Sequence, residues 1–156
     1  MKIKIKKLAP NAVVPTRAHK SDLCYDVVAT SREQLSENVW KYGIGLAFEP
    51  IVEEPYPLQK ETWRWIREYN VGIQFFPRSS VWKTGLVLSN CVGLIDEDYR
   101  GEVSAIFYKV APGEIYKVGD RIGQIKAIRS IDAKFEEVDE LSETERGKGG
   151  FGSTGR

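Results

Sequence analysis

An all-β fold, a jelly-roll-like barrel of many short strands, is what this sequence predicts, and three observations carry the prediction. Apolar residues recur at every second position in short runs: Ile3 and Ile5; Ile44, Leu46 and Phe48; Val71, Ile73 and Phe75; Val103, Ala105 and Phe107. That period puts them on one face of a strand. Turn formers punctuate the runs: Pro10-Asn11, Gly43, Pro77, Asn90, Pro112-Gly113 and Gly119-Asp120. Short strands with regular turn signals are the pattern of barrels and jelly rolls. Finally, 156 residues with 42% hydrophobic side chains suit one domain with a substantial core.

Each element has its own justification. Residues 1–6 alternate Lys with Ile, a half-exposed strand that lacks the continuous apolar core of a signal peptide. A second strand is expected over Ile44–Phe48. Residues 53–70 break the rhythm. They hold Pro55, Pro57, Trp63, Trp65, Ile66 and Tyr69. Trp65 and Tyr69 are four apart, and Trp63 and Ile66 three apart, a spacing that allows one or two helical turns. Val71–Phe76 then reads as a strand that Pro77 ends. Leu94-Ile95 is an apolar lead-in that delivers Asp96 where the strand pattern stops. Residues 121–128 alternate poorly, as in a strand partly buried on both faces. The end, 146–156, has five glycines in eleven positions and is expected to be flexible when free.

The totals narrow the function classes. A net charge of +1 gives no support for a general nucleic-acid or membrane binder. No apolar run approaches the ~20 residues that span a bilayer. Two cysteines, Cys24 and Cys91, with no pairing pattern point to free thiols in a reducing compartment, the cytoplasm. The single His19 cannot build a His-rich metal site, so any metal is expected on oxygen ligands, which suits magnesium.

Five segments could carry chemistry. Residues 93–102 place Asp96 at a strand end beside Tyr99, with Gly101 turning the chain. A fixed carboxylate next to a ring can act as a general base with a flat wall for a small substrate. By itself the segment reads equally as a charged β-turn. Pro77-Arg78-Ser79-Ser80 puts a guanidinium and two hydroxyls at a strand tip, which makes a usable phosphate clamp but also an ordinary surface turn. Gly119–Gln124 is a Gly-Asp turn entering a strand, with Gln124 available to a ligand. Tyr25-Asp26 is at least a turn former. In the Gly-rich end, backbone amides can approach anionic oxygens and Phe151 can seek a flat partner. By composition alone it also reads as a disordered terminus.

Taken in order, these five pieces resemble the five motifs of the trimeric dUTP pyrophosphatases (dUTPases), over nearly the whole chain apart from 53–70. Tyr25-Asp26 is similar to the first motif, Pro77–Ser80 to the second, Asn90–Gly101 to the third, Gly119–Gln124 to the fourth and Arg146–Gly155 to the fifth.

The resemblance implies magnesium-dependent hydrolysis of dUTP to dUMP and pyrophosphate. Asp96 would activate the attacking water, and Tyr99 would pack under the deoxyribose. Asn90 and the backbone around Gly93 would read the uracil edge. Arg78, Ser79, Ser80 and Gln124 would contact phosphates, and Asp26 would place the hydrated metal. Phe151 would close over the base, with Arg146, Gly152, Ser153 and Thr154 near the terminal phosphates. It also implies a homotrimer with shared sites, a single β domain over 1–145 and a lid over 146–156. One departure stands out. Leu23-Cys24-Tyr25-Asp26 replaces the family's common Ala-Gly-Tyr-Asp, which makes the loop bulkier but keeps the acid. Rival expectations are a dCTP deaminase of the same fold and a regulatory module that binds a protein partner through 53–70.

Overall fold

The computed structural model describes residues 1–51, 69–131 and 133–150. Among them lie ten strands: β1 (Lys2–Lys7), β2 (Tyr25–Val28), β3 (Ser31–Ser36), β4 (Val39–Gly43), β5 (Leu46–Ile51), β6 (Tyr69–Pro77), β7 (Leu86–Leu88), β8 (Gly93–Ile95), β9 (Ser104–Lys109) and β10 (Arg121–Ile131). One 3₁₀ turn spans Val81–Thr84. The strands form two four-stranded sheets, β2-β10-β6-β8 and β3-β4-β9-β7, and a ribbon of β1 and β5. Every pairing is antiparallel. The all-β expectation holds.

The inner faces of the two large sheets make the core. Val27, Ile73, Phe75 and Ile125 come from one sheet, and Tyr42, Leu86, Ala105 and Phe107 from the other, all buried. Phe107 sits at the centre. Its ring meets Tyr42 edge-on at 5.8 Å, Tyr116 at 6.0 Å and Phe75 at 6.5 Å between centroids. Each such pair adds about 0.5–1.5 kcal/mol beyond its burial. The contact with Phe75 ties one sheet to the other. Removing the Phe107 ring would cost about 3–5 kcal/mol.

Period 2 located the strands better than their ends. Val71, Ile73 and Phe75 are buried on one face of β6, and Val103, Ala105 and Phe107 are buried together as expected. The expected strand over Ile44–Phe48 is in fact divided. Gly45 has φ +65° and bends the chain between β4 and β5, and a Cβ there would lie 2.9 Å from that of Ala9. Ile44, Leu46 and Phe48 are still buried, because the bend returns the chain to the same core. Strand β3 is polar and wholly exposed, so it carries no alternation to read. It is a strand because it pairs with β4.

Strand β6 begins two residues earlier than the sequence pattern suggested. Tyr69 and Asn70 pair with Ile131 and Ser130, so they belong to the sheet and not to the intervening segment. The other residues of 53–70, with the expected helical turns, lie outside the described residues. Strand β10 fits its poor alternation. It lies between β2 and β6, with Ile122 and Ile125 buried and other positions half-buried. A bulge at Arg121/Gly123 adjusts its register. Gly123 is required there, since a Cβ would run into the Phe75 ring.

Candidate active site

Two groups of the expected residues come together in the chain. The first surrounds the hairpin from β7 to β8. Its turn holds Asn90, exposed, and Cys91, which takes φ 57°. Gly93 is buried against Phe75; a Cβ at Gly93 would lie 3.1 Å from the Phe75 Cβ and 3.8 Å from the Asn90 side-chain nitrogen. A cleft of about 300 Å³ opens beside it, lined by Asn90, Gly93, Leu94, Ile95 and Ser104 among others. It abuts a second cleft of about 310 Å³ that shares Leu94, Ile95 and Ser104 and adds Asp96, Tyr99 and Lys41.

Asp96 follows β8 directly and is exposed. Among the described residues, no group bonds or ion-pairs its carboxylate. The turn that carries it is firmly tied. The Tyr99 amide donates to the Asp96 carbonyl at 3.2 Å. The Tyr99 hydroxyl donates to the Glu102 carbonyl at 3.0 Å. Its ring occupies the space that a Cβ on Gly101 would fill. The outcome is an unencumbered carboxylate and a half-exposed ring on one short turn, both facing the same cleft.

The second group lies across β2, β10 and the end of β6. Asp26 pairs with Gln124 in the β2–β10 ladder, and Gln124 pairs with Phe76. The Gln124 amide donates to the Pro77 carbonyl at 3.5 Å. One Asp26 oxygen is 3.5 Å from Arg78 Nε, and the other accepts from Arg121 Nη1 at 2.8 Å. The two guanidiniums meet on one carboxylate beside a polar cleft of about 520 Å³, which Arg78, Lys117 and Arg121 line together with Glu114, Tyr116 and Asp120. Tyr116 is buried, and its hydroxyl has no hydrogen-bond partner among the described residues. Burial pushes its phenol up, while Arg78 acts to lower it. Ser79 is exposed and Ser80 half-buried at the start of the 3₁₀ turn, where the Val81 amide donates to the Arg78 carbonyl at 2.9 Å. That bond folds the loop back, so Arg78 projects from a closed turn.

Sequence reasoning assigned no role to Arg121. It stands inside the quoted Gly119–Gln124 segment, but its partner Asp26 is 95 positions away. Nothing in the sequence shows which acid it meets. Arg146 is exposed and donates through Nε to the Gly149 carbonyl at 2.9 Å, within two successive turns. Phe151, Gly152, Ser153 and Thr154 lie outside the described residues.

The ladder separates the two groups. Gln124 is opposite Phe76, while Ile95 is opposite Ile73, so Asp96 falls level with Gly72. From Phe76 to Gly72 is four residues, about 13 Å along the strand, and from β2 to β8 is three strand spacings, about 14 Å across. Asp96 and the Asp26–Arg78–Gln124 group therefore belong to different regions of the chain.

Comparison with known proteins bears on the family and the fold. The dUTPase family model matches residues 68–155. The deoxyuridine 5'-triphosphate nucleotidohydrolase of Nautilia profundicola is 34% identical over 160 residues, covering 100% of both chains. Among solved structures, the dUTPase of Staphylococcus bacteriophage 80alpha, determined with dUpNHpp, superposes with a TM-score of 0.75 at 22% identity, covering 99% of each chain. A dUTPase from Staphylococcus aureus phage phi11, in which a structural Mg(II) ion is coordinated, gives 0.67 at 17% identity over 92% of this chain and all of that one. The jelly-roll-like arrangement of sheets is thus shared with these enzymes. With a full-length relative at this identity and a family model over more than half its residues, the chain belongs to the dUTPase family.

Proposed function

We infer that this protein is a dUTP diphosphatase, which hydrolyses dUTP to dUMP and pyrophosphate. The observation that carries the reading is the pairing of Asp96 with Tyr99 on one tied turn, facing a cleft that abuts the Asn90–Gly93 hairpin. The base of the nucleotide suits the hairpin cleft, where backbone groups of fixed donor and acceptor order can tell uracil from cytosine. The sugar suits the Tyr99 ring. Asp96 then takes a proton from the water that attacks the α-phosphorus, and the bond to the β-phosphate oxygen breaks as pyrophosphate leaves. Arg78, Ser79, Ser80 and Gln124 are the proposed phosphate contacts.

The donor set at Asp26 bears on the metal. Both carboxylate oxygens meet arginines, and among the described residues no three His, Cys, Asp or Glu side chains converge as metal ligands. Magnesium that keeps several waters and takes inner ligands from phosphate oxygens suits this arrangement. Asp26 would hold it through water. When bound, the ion would neutralise charge on the triphosphate.

A homotrimer with shared sites is the proposed assembly. One triphosphate cannot meet both Asp96 and the Asp26–Arg78 group of the same subunit at the separation given by the register. A second copy, placed by closed symmetry, can bring one group to the other. Ile131, Phe135 and Leu141 are 84%, 97% and 86% exposed, and they call for cover of the kind a neighbouring subunit supplies. Residues 146–156 are the proposed lid on a single domain, 1–145. The free Cys24 and Cys91 support a cytoplasmic setting. Among the described residues, no helix is long and apolar enough to cross a membrane.

Pyrophosphate release from dUTP, dCTP, dTTP and UTP, measured side by side, tests the activity. Clear preference for dUTP is expected; ammonia release from dCTP would point instead to a deaminase.

A further inference from the structure

The residue after the proposed base has a side chain that does something unexpected for a turn acid. Glu97 points back at the sheet, and its Oε2 accepts a hydrogen bond from the Val71 amide at 2.9 Å. Val71 is buried in β6, two residues after the strand begins. Strand β6 pairs with β8 only from Ile73 to Phe75, so the Val71 amide lies beyond the last ladder pair. Glu97 caps that edge. The bond joins positions 26 apart in sequence and is partly buried.

A second tie acts on the same turn. Arg100 Nη1 donates to the Glu97 carbonyl at 2.6 Å and lies 3.2 Å from the Tyr99 carbonyl. It also reaches the Phe48 carbonyl of β5 at 3.5 Å. The turn that carries Asp96 and Tyr99 is thus fastened on one side to β6 and on the other toward β5. Asp96 itself has no side-chain tie among the described residues, so its placement depends on its neighbours.

We propose that Glu97 is a positioning residue for hydrolysis, which sets the direction of the Asp96 carboxylate through its bond to the Val71 amide. This rests on the reading of Asp96 as the general base. The Glu97 carboxylate is turned to the sheet. Its contribution is geometric, and a misplacement of about 1 Å at a reacting group can cost on the order of 100-fold in rate. Because the bond needs only an acceptor oxygen, a neutral amide can replace the carboxylate.

The test is steady-state kinetics on full-length Glu97→Ala, Glu97→Gln and Glu97→Asp, with Asp96→Asn in parallel. Glu97→Ala should lower kcat roughly 10- to 100-fold while KM for dUTP changes far less. Glu97→Gln should recover most of that loss. Glu97→Asp, one methylene too short to reach Val71, should behave like Glu97→Ala, and it carries the test if the alanine variant does not fold. Wild-type kcat in folded Glu97→Ala or Glu97→Asp, beside an inactive Asp96→Asn, would overturn the proposal and leave Asp96 standing. Equal losses in the Gln and Ala variants would overturn it too, since charge and not the bond would then matter. An active Asp96→Asn would remove the base reading and this proposal together.

Discussion

Arg121 donates to the Asp26 carboxylate at 2.8 Å across the β2–β10 ladder, while Arg78 approaches the other oxygen of the same carboxylate. Asp26 therefore holds two cations in place before any nucleotide arrives. Its side chain is mostly buried, whereas that of Arg121 is half-exposed, so the pair is partly screened. Arg121→Gln should leave Asp26 to Arg78 alone and remove one positive charge from the cleft. The expected loss is about 1 kcal/mol, roughly fivefold in kcat/KM for dUTP, with a lower magnesium concentration needed for half-maximal rate because Asp26 loses a competing cation. Titrating magnesium against rate in both proteins checks it. An unchanged magnesium profile would make the ion pair purely structural.

Asp96→Asn keeps the size of the side chain and removes its basicity. A turnover loss of roughly 10²–10⁴-fold is expected, with nucleotide binding largely retained. Calorimetric binding of a non-hydrolysable dUTP analogue, set beside kcat, separates the two effects. Near-normal turnover would remove Asp96 from the chemistry.

Alkaline stability should report on the core. Tyr42 is fully buried and donates its hydroxyl hydrogen to the Tyr116 carbonyl at 3.1 Å. Burial pushes its pKa up to about 12. Below pH 10 both folded and unfolded chains keep this proton, so its stabilisation is intact. Between pH 10 and about 12 only the unfolded chain releases it, and stability falls as pH rises, by about 3 kcal/mol in all. Urea unfolding of wild type and Tyr42→Phe at pH 9 and pH 11.5 measures this. The phenylalanine variant should lose about 1 kcal/mol at pH 9. It should show a smaller further drop at pH 11.5, but not none, because burial raises Tyr116 as well. The same drop in both proteins would contradict the assignment.

Truncation after Glu145 should lower kcat/KM for dUTP while leaving the melting temperature and the assembly unchanged. Stacking of one ring, such as Phe151, on a base is worth about 1–3 kcal/mol, or roughly 5- to 150-fold. Ordering a chain so rich in glycine costs entropy, so the end should close only on a complete triphosphate. Kinetics, thermal melting and light scattering on the two proteins decide between a lid, a structural strand and an idle end. Scattering should give about three times the 17.7 kDa subunit mass for both.

Much of this protein was legible in the sequence by itself. Alternation in Val71–Phe75 and Val103–Phe107 determined which faces became the core, because a period of two leaves a strand only one way to hide its apolar side chains. The order of the motifs pointed to the family, and Asp96 stood out as a candidate because it ends an apolar run beside a Tyr and a Gly. Other features were decided by tertiary structure alone. The polar β3 is a strand only because β4 offers it a ladder. The bend at Gly45 exists because Ala9 and Ala12 pack where a side chain would stand. Arg121 with Asp26, and Glu97 with the Val71 amide, are 95 and 26 positions apart. Such pairs follow from which strands neighbour each other and in what register, and no local pattern encodes that. The same register holds Asp96 away from Asp26 within one chain, so the position of Asp96 at a strand end was legible locally, while its distance from Asp26 was decided by strand order and pairing.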